Sequence, residues 1–307
     1  MKRLAAVACL FAIGSCGNLT CSQNRHRAIR YMNKGVKNFS DGLHAAAISN
    51  LKAAVREDDT FGKAHYNLAK VYEHMKKWDD AQRHLNRVIA LEPNNATYHY
   101  ELGKCYQNLN RLDMAKGAYE KALSLNPKLY VVHYRLGTVF ASLDQPVKAD
   151  AEYRKAIEIN PRFTKAFVSL SMLYLNFDYP EQAMRVLQAG VAINDNSAEA
   201  QNTLGVAYQF LKQYDKAIES FKKALDLQPD YNVAMFNLGM AYAAADKRKE
   251  AEEMLNRFTK AAAGKADVDQ DYIREANEKL MELSGAMEGG ATPPPGGGQD
   301  GLPVRQP

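Results

Sequence analysis

The chain is 307 residues long, 46% hydrophobic and 24% charged, with four Cys and one Trp. That length suits two ordinary domains or one elongated array, and the balance excludes wholesale disorder. So few Cys exclude a disulfide scaffold, and without a long uninterrupted apolar run a polytopic membrane protein is excluded too. The net charge of +5 is uneven: +7 over residues 1–95, +3 over 96–163, zero over 164–265 and −5 over 266–307. The chain is thus polarised towards a basic N-terminal end, but Lys and Arg are too dilute for a nucleic-acid footprint.

At the N-terminus, Lys2 and Arg3 precede an apolar stretch from Leu4 to Ile13. It is too short to span a bilayer and suits a signal h-region. Ile13-Gly14-Ser15-Cys16 follows and resembles the bacterial lipoprotein signal, in which the Cys becomes the first mature residue and carries lipid. The resemblance implies a signal peptide over 1–15, lipidation of Cys16 and a lipidated linker over 16–27. Gly17, where an Asp would favour inner-membrane retention, implies the outer membrane facing the periplasm. An ordinary secretory signal with an incidental Cys is the alternative, although no convincing small-x-small cleavage site lies at a sensible distance.

From Ala28 onwards the chain repeats every 34 residues. One column is always small: Gly35, Ala69, Gly103, Gly137, Ser171, Gly205, Gly239. A second is Ala throughout: Ala47, Ala81, Ala115, Ala149, Ala183, Ala217, Ala251. A third holds Leu51, Leu85, Tyr119, Tyr153, Leu187, Phe221 and Leu255, and Pro93, Pro127, Pro161 and Pro229 close four of the repeats. Leu102, Gly103 and Tyr106 share one helical face, and Ala115, Tyr119 and Ala122 share a matching face on the next helix. This pattern resembles the tetratricopeptide repeat (TPR), a helix-turn-helix unit. The resemblance implies an all-α, right-handed superhelical solenoid of seven repeats (28–61, 62–95, 96–129, 130–163, 164–197, 198–231 and 232–265) whose stability comes from stacking neighbours.

Departures from the family are local. Lys34 and Asn38 replace an expected Leu and Tyr, so the first helix should be solvated. Gly190 and Asp195 suggest a looser joint in the fifth repeat. Ile273, Ala276, Leu280 and Leu283 make an apolar stripe, so residues 266–284 are expected to form a capping helix. Residues 285–307, with Pro293-Pro294-Pro295 and Gly296-Gly297-Gly298, hold too little apolar surface to order and read as a disordered tail.

Signals of catalysis are sparse: the sequence has no phosphate-binding loop, nucleophile elbow or paired-Cys zinc pattern. His65, His99 and His133 recur one repeat apart, which puts them about 10 Å or more from each other, too far to share one metal ion. They are expected at the interhelix seam, and Cys105 in a buried apolar column. No enzyme activity, metal or cofactor is expected.

The resemblance implies that the first helix of each pair lines a concave groove, with repeat positions 5 and 9 facing inwards. Position 5 offers Tyr66, Tyr100, Tyr134, Val168 and Phe236, and position 9 offers Lys70, Lys104, Met172 and Val206; Leu175 and Phe210 extend the apolar part. The carboxylate clamp of chaperone-binding TPRs needs Lys where Tyr66 and Tyr100 stand. The asparagine ladder of glycosyltransferase TPRs is kept only at Asn33, Asn67 and Asn237. Side-chain docking of a protein partner, as an extended segment or helix, is therefore expected in preference to continuous backbone capture. No nucleic-acid or small-molecule partner is expected.

Anchor and scaffold together resemble the outer-membrane TPR lipoproteins known as type IV pilus pilotins, which escort and assemble the secretin pore. The alternatives are an adaptor for peptidoglycan hydrolases or for a gliding or secretion complex, and the regulatory arm of an enzyme or chaperone system. Metabolic labelling with a fatty acid tests the anchor: the wild-type chain should take up label, and Cys16→Ser should take up none.

Overall fold

Apolar residues spaced three and four apart, interrupted every fourteen residues or so by a turn, give a succession of short helices of nearly constant length. The computed structural model describes residues 23–265 and 269–285. Among the described residues there is no strand, and no helix is long and apolar enough to cross a membrane. The chain divides into two compact units, Met1–Leu143 and Asp144–Pro307.

The first unit holds α1 (23–40), α2 (His44–Glu57), α3 (Gly62–His74), α4 (Trp78–Leu91), α5 (Ala96–Asn108), α6 (Leu112–Leu125) and α7 (Tyr130–Ser142). Here α3 pairs with α4 and α5 with α6, and each second helix also packs on the first helix of the next pair. The second unit holds α8 (Pro146–Ile159), α9 (Thr164–Asn176), α10 (Pro180–Ile193), α11 (Ala198–Phe210), α12 (Tyr214–Leu227), α13 (Asn232–Ala244), α14 (Arg248–Ala262) and α15 (Gln270–Leu283). It repeats the arrangement, and its first helices also touch one another, α9 on α11 and α11 on α13. The all-helical, repeat-based expectation is met.

Local chemistry explains the element ends. Pro146 and Pro180 open α8 and α10, where a missing N–H costs nothing. Pro93, Pro127, Pro161 and Pro229 follow the C-caps of α4, α6, α8 and α12. Gly42 between α1 and α2 takes left-handed backbone, with φ of 75°, and in the corresponding later turns Lys76, Asn110, Asp144, Asp178, Lys212 and Asp246 do so with φ of 54–60°. Lys77 N then donates to Tyr72 O at 2.9 Å and Lys76 N to Glu73 O at 2.9 Å, closing the first helix with a paired turn.

Two expectations need adjustment. The helix begins earlier than the expected linker boundary at residue 27: residues 23–27 are already helical, and Arg25 pairs with Asp58 at 2.5 Å and Arg27 with Glu57 at 3.0 Å. Gly190 is not a loose joint. It is buried, and a Cβ there would come within 2.8 Å of the Phe167 ring, itself 4% exposed. Loss of a methyl on α10 is matched by a large ring on α9, so the repeat is close-packed by exchange of volume.

At the C-terminal end, α15 lies on α14 and α13 and acts as a cap: Ala276 is fully buried, while Tyr272, Ile273, Leu280 and Leu283 pack on the second unit's core. Lys34 is exposed, as expected for a solvated first helix. The expected signal segment over 1–15, Cys16, residues 17–22, residues 266–268 of the expected capping helix and residues 286–307 of the expected tail lie outside the described residues.

Lys212→Gly relieves an unfavourable left-handed conformation and should stabilise the fold by about 0.5–1 kcal/mol, read from denaturant midpoints. Phe167→Ala should destabilise by about 3–5 kcal/mol, because Gly190 opposite leaves nothing to fill the space.

Candidate protein-binding face

Four charged side chains organise the face made by α3 and α5. Lys70 and Glu73 lie on α3, one turn apart, and Glu101 and Lys104 lie on α5 in the reverse order. Lys70 Nζ donates to Glu73 at 2.8 Å and to Glu101 at 3.1 Å; Lys104 Nζ donates to Glu101 at 2.5 Å and to Glu73 at 3.3 Å. Each ammonium thus bridges both carboxylates. The glutamates are buried, and their carboxylates hold both lysines above the ordinary range despite burial that acts the other way. Lys70 and Lys104, expected among the groove residues, thus stand on this face as members of a quartet whose formal charges cancel. Beneath it, Cys105 Sγ lies 3.8 Å from Glu73, and burial, with Glu73 adding to it, pushes the thiol up to about 12. An inert thiol results.

Around the quartet sit the expected tyrosines. Tyr66, Tyr100 and Tyr134 are each half-buried, on α3, α5 and α7. The Tyr66 ring meets Tyr98 at 5.3 Å, Tyr100 meets Tyr119 at 6.2 Å and receives the Lys104 ammonium at 5.5 Å, and the Arg135 guanidinium lies 6.0 Å from Tyr134. Burial, then Glu101, raises the Tyr66 phenol above its ordinary range, so it stays protonated and able to donate. Tyr119 donates to Gln107 at 2.8 Å, and Gln107 donates to Thr138 at 3.0 Å, tying α6, α5 and α7 together behind these rings. The rings are held by packing while part of each surface stays accessible.

The remaining expected site residues divide. Met172, Val206 and Phe210 are half-buried against the second unit's core. Val168, Leu175 and Phe236 are 2%, 3% and 1% exposed and are not available to a ligand, which corrects their assignment to the groove. The reason is contact between successive first helices: α9, α11 and α13 close on one another, and these positions fill the seam. The Phe236 ring lies tilted against Phe258 at 5.5 Å and Tyr272 at 4.8 Å. In the same seam Asn237 is buried and donates to Asn202 at 3.0 Å. Asn67 donates to Lys63 O of its own helix at 2.8 Å, and Asn33 stands on the exposed side of α1.

The recurring histidines have one shared role. His65, His99 and His133 are buried, and each places Nε2 against the carbonyl six residues earlier: Asp59 O at 3.1 Å, Pro93 O at 2.9 Å and Pro127 O at 3.0 Å. Each therefore fastens a helix to the turn that precedes it. Because Asp59 oxygens only accept, His65 Nε2 donates to them, and its Nδ1 faces His84 Nδ1 at 3.1 Å. The His84 ring stacks on Tyr72 at 5.8 Å. Among the described residues no three His, Cys, Asp or Glu gather into a group able to hold a metal ion.

Sequence reasoning missed Glu73 and His84. The first has a signal, because Lys-x-x-Glu at 70–73 and Glu-x-x-Lys at 101–104 reverse their order one repeat apart. His84 stands singly in its column and carries none.

Models of the tetratricopeptide repeat match residues 39–105, 96–129, 130–163, 198–231 and 233–263. The chain belongs to the tetratricopeptide-repeat family, whose fold is a protein-interaction scaffold. A tetratricopeptide repeat protein from Parabacteroides merdae is 16% identical over 84% of this chain and 99% of its own, with a TM-score of 0.63. The pilF protein of Pseudomonas aeruginosa is 17% identical over 69% and 96%, with a TM-score of 0.56. YrrB, a TPR protein with an unusual peptide-binding site, is 27% identical over 60% and 95%, with a TM-score of 0.48. A search of curated proteins finds no match.

Two outcomes follow. Glu73→Leu leaves two ammonium groups facing one carboxylate and should lower stability by up to about 3 kcal/mol, whereas adding Lys70→Leu should restore most of it, as measured by denaturant unfolding. Burial, then the neighbouring His65, pushes His84 down to about 4 from 6.5, so the fold favours its neutral form. That stability is complete above the unfolded value near 6.5 and is lost as pH falls towards 4; His84→Phe should flatten this limb of the pH–stability curve.

Proposed function

We propose that the chain is a non-catalytic scaffold that docks a segment of a cell-envelope protein on the tyrosine-lined face of α3, α5 and α7. The single observation behind this reading is the recurrence of Tyr66, Tyr100 and Tyr134 on three successive first helices, each ring fixed by neighbours and each half-accessible. Rigid aromatic rings supply contact area at small entropic loss, and protein interfaces are enriched in them. The neutral quartet between α3 and α5 favours an uncharged or charge-balanced segment over an acidic or basic one.

The lipoprotein-type signal ending at Cys16 places this scaffold, in our reading, on the outer membrane facing the periplasm. Two or more acyl chains hold such a protein almost permanently on a membrane. Within that address we favour a pilotin-like part in assembling the secretin of a type IV pilus, in keeping with the lipid-anchored TPR organisation.

Tyr100→Ala combined with Tyr134→Ala should reduce secretin recovered in pull-downs from detergent-solubilised membranes by about tenfold or more while leaving helical circular dichroism unchanged. Undiminished recovery of secretin would place docking elsewhere. Recovery of murein hydrolases in its place would support the adaptor alternative.

A further inference from the structure

The helix α1 differs in charge from every other described helix. Over residues 23–40 it carries Arg25, Arg27, Arg30, Lys34 and Lys37 and no acidic residue, whereas other charge-rich helices such as α8, α12 and α14 mix both signs. Spacings of three and four bring Arg27, Arg30, Lys34 and Lys37 onto one ridge. The ridge lies opposite the face that buries Ala28 and Gly35, and all four side chains are exposed. The Arg27 side chain is engaged by Glu57 at 3.0 Å, but the side chains of Arg30, Lys34 and Lys37 make no ion pair or hydrogen bond among the described residues.

We infer that this ridge binds the anionic phospholipid surface of a membrane. Complementary charge is one argument: three uncompensated cations on the outermost helix lie along about 10 Å of helix axis, and anionic lipids present a continuous surface of the opposite sign. Tether length is the other. From Cys16 to the first described residue of α1 the chain reaches at most about 25 Å, so a lipid on Cys16 would keep α1 beside the bilayer. Within a Debye length of about 8 Å each cation then adds attraction. The choice of lipid over other polyanions rests on the lipid-anchored reading of Cys16. The ridge would orient the first unit on the membrane, which a lipid anchor alone does not do.

The test is vesicle flotation of the full chain with phosphatidylglycerol–phosphatidylcholine or phosphatidylcholine vesicles at low and high salt. Arg30→Gln with Lys34→Gln and Lys37→Gln should lose about tenfold or more in affinity for the anionic vesicles and nothing for the neutral ones, and the difference should fade as salt rises. Lys165→Gln with Arg185→Gln and Lys249→Gln, an equal charge change in the second unit, should bind as wild type. An equal loss in that second variant, or no loss in the first, overturns the inference. So does tighter binding of the wild-type chain to a nucleic-acid duplex than to anionic vesicles, reversed by the same three substitutions. All three proteins share residues 1–22, so the comparison stands whether or not Cys16 takes up fatty acid, and labelling of Cys16 separately decides the anchor.

Discussion

The fold depends on one steric bargain struck at the crossing of each helix pair. A small residue on the first helix receives a large, fully buried side chain from the second: Gly35 takes Leu51, Gly103 takes Tyr119, Gly205 takes Phe221 and Gly239 takes Leu255. A Cβ at Gly205 would stand 2.5 Å from the Phe221 ring, and one at Gly239 2.6 Å from Leu255, so the axes come as close as backbone allows. Such contact fixes the pair as a rigid hairpin, and stacking hairpins buries what one alone leaves bare. The fifth repeat obeys the same rule at another point of contact, where Gly190 on the second helix accepts Phe167 from the first.

Close axes create a second problem, because polar groups caught in the seams need partners. The first unit meets it in two ways. Histidines on α3, α5 and α7 satisfy the carbonyls of the turns before them, and the charged quartet satisfies itself across α3 and α5. The second unit also buries polar side chains on its first helices, among them Ser171, Gln201, Asn202, Thr203 and Asn237; there Asn237 donates to Asn202 and the Thr203 hydroxyl donates to Glu199 O of its own helix. The two units differ instead in how their first helices meet: α9, α11 and α13 touch one another, and Phe236 is buried there against Phe258 and Tyr272.

Helix positions were legible in the sequence because volume at a crossing has few solutions, and the small and Ala columns report those crossings directly. Pro146 and Pro180 were legible for the same kind of reason, a fixed φ and a missing donor. The left-handed turns of the later pairs were not, since Lys76, Lys212 and four Asp or Asn residues occupy them without the glycine that would announce the conformation. Nor did sequence separate groove from seam. Val168 and Tyr66 share a repeat position, but the first is buried and the second half-open, because the gap between neighbouring first helices depends on side chains from several repeats at once. The lysines were legible as residues of that face, and the reversed spacings of Lys70 with Glu73 and Glu101 with Lys104 signal half of their pairing; the other half, Lys70 to Glu101 and Lys104 to Glu73, forms only once α3 and α5 lie together.

The quartet has a kinetic consequence. Two cations and two anions within a few ångströms cancel at any distance much beyond their own spacing, so they cast no field into solvent. A segment approaching this face is not steered by these groups. Under the docking proposed above, its encounter rate would fall in the unsteered range of about 10⁵–10⁶ M⁻¹s⁻¹ and change little with ionic strength, which would leave selectivity among visitors to how long the tyrosine rings retain each one.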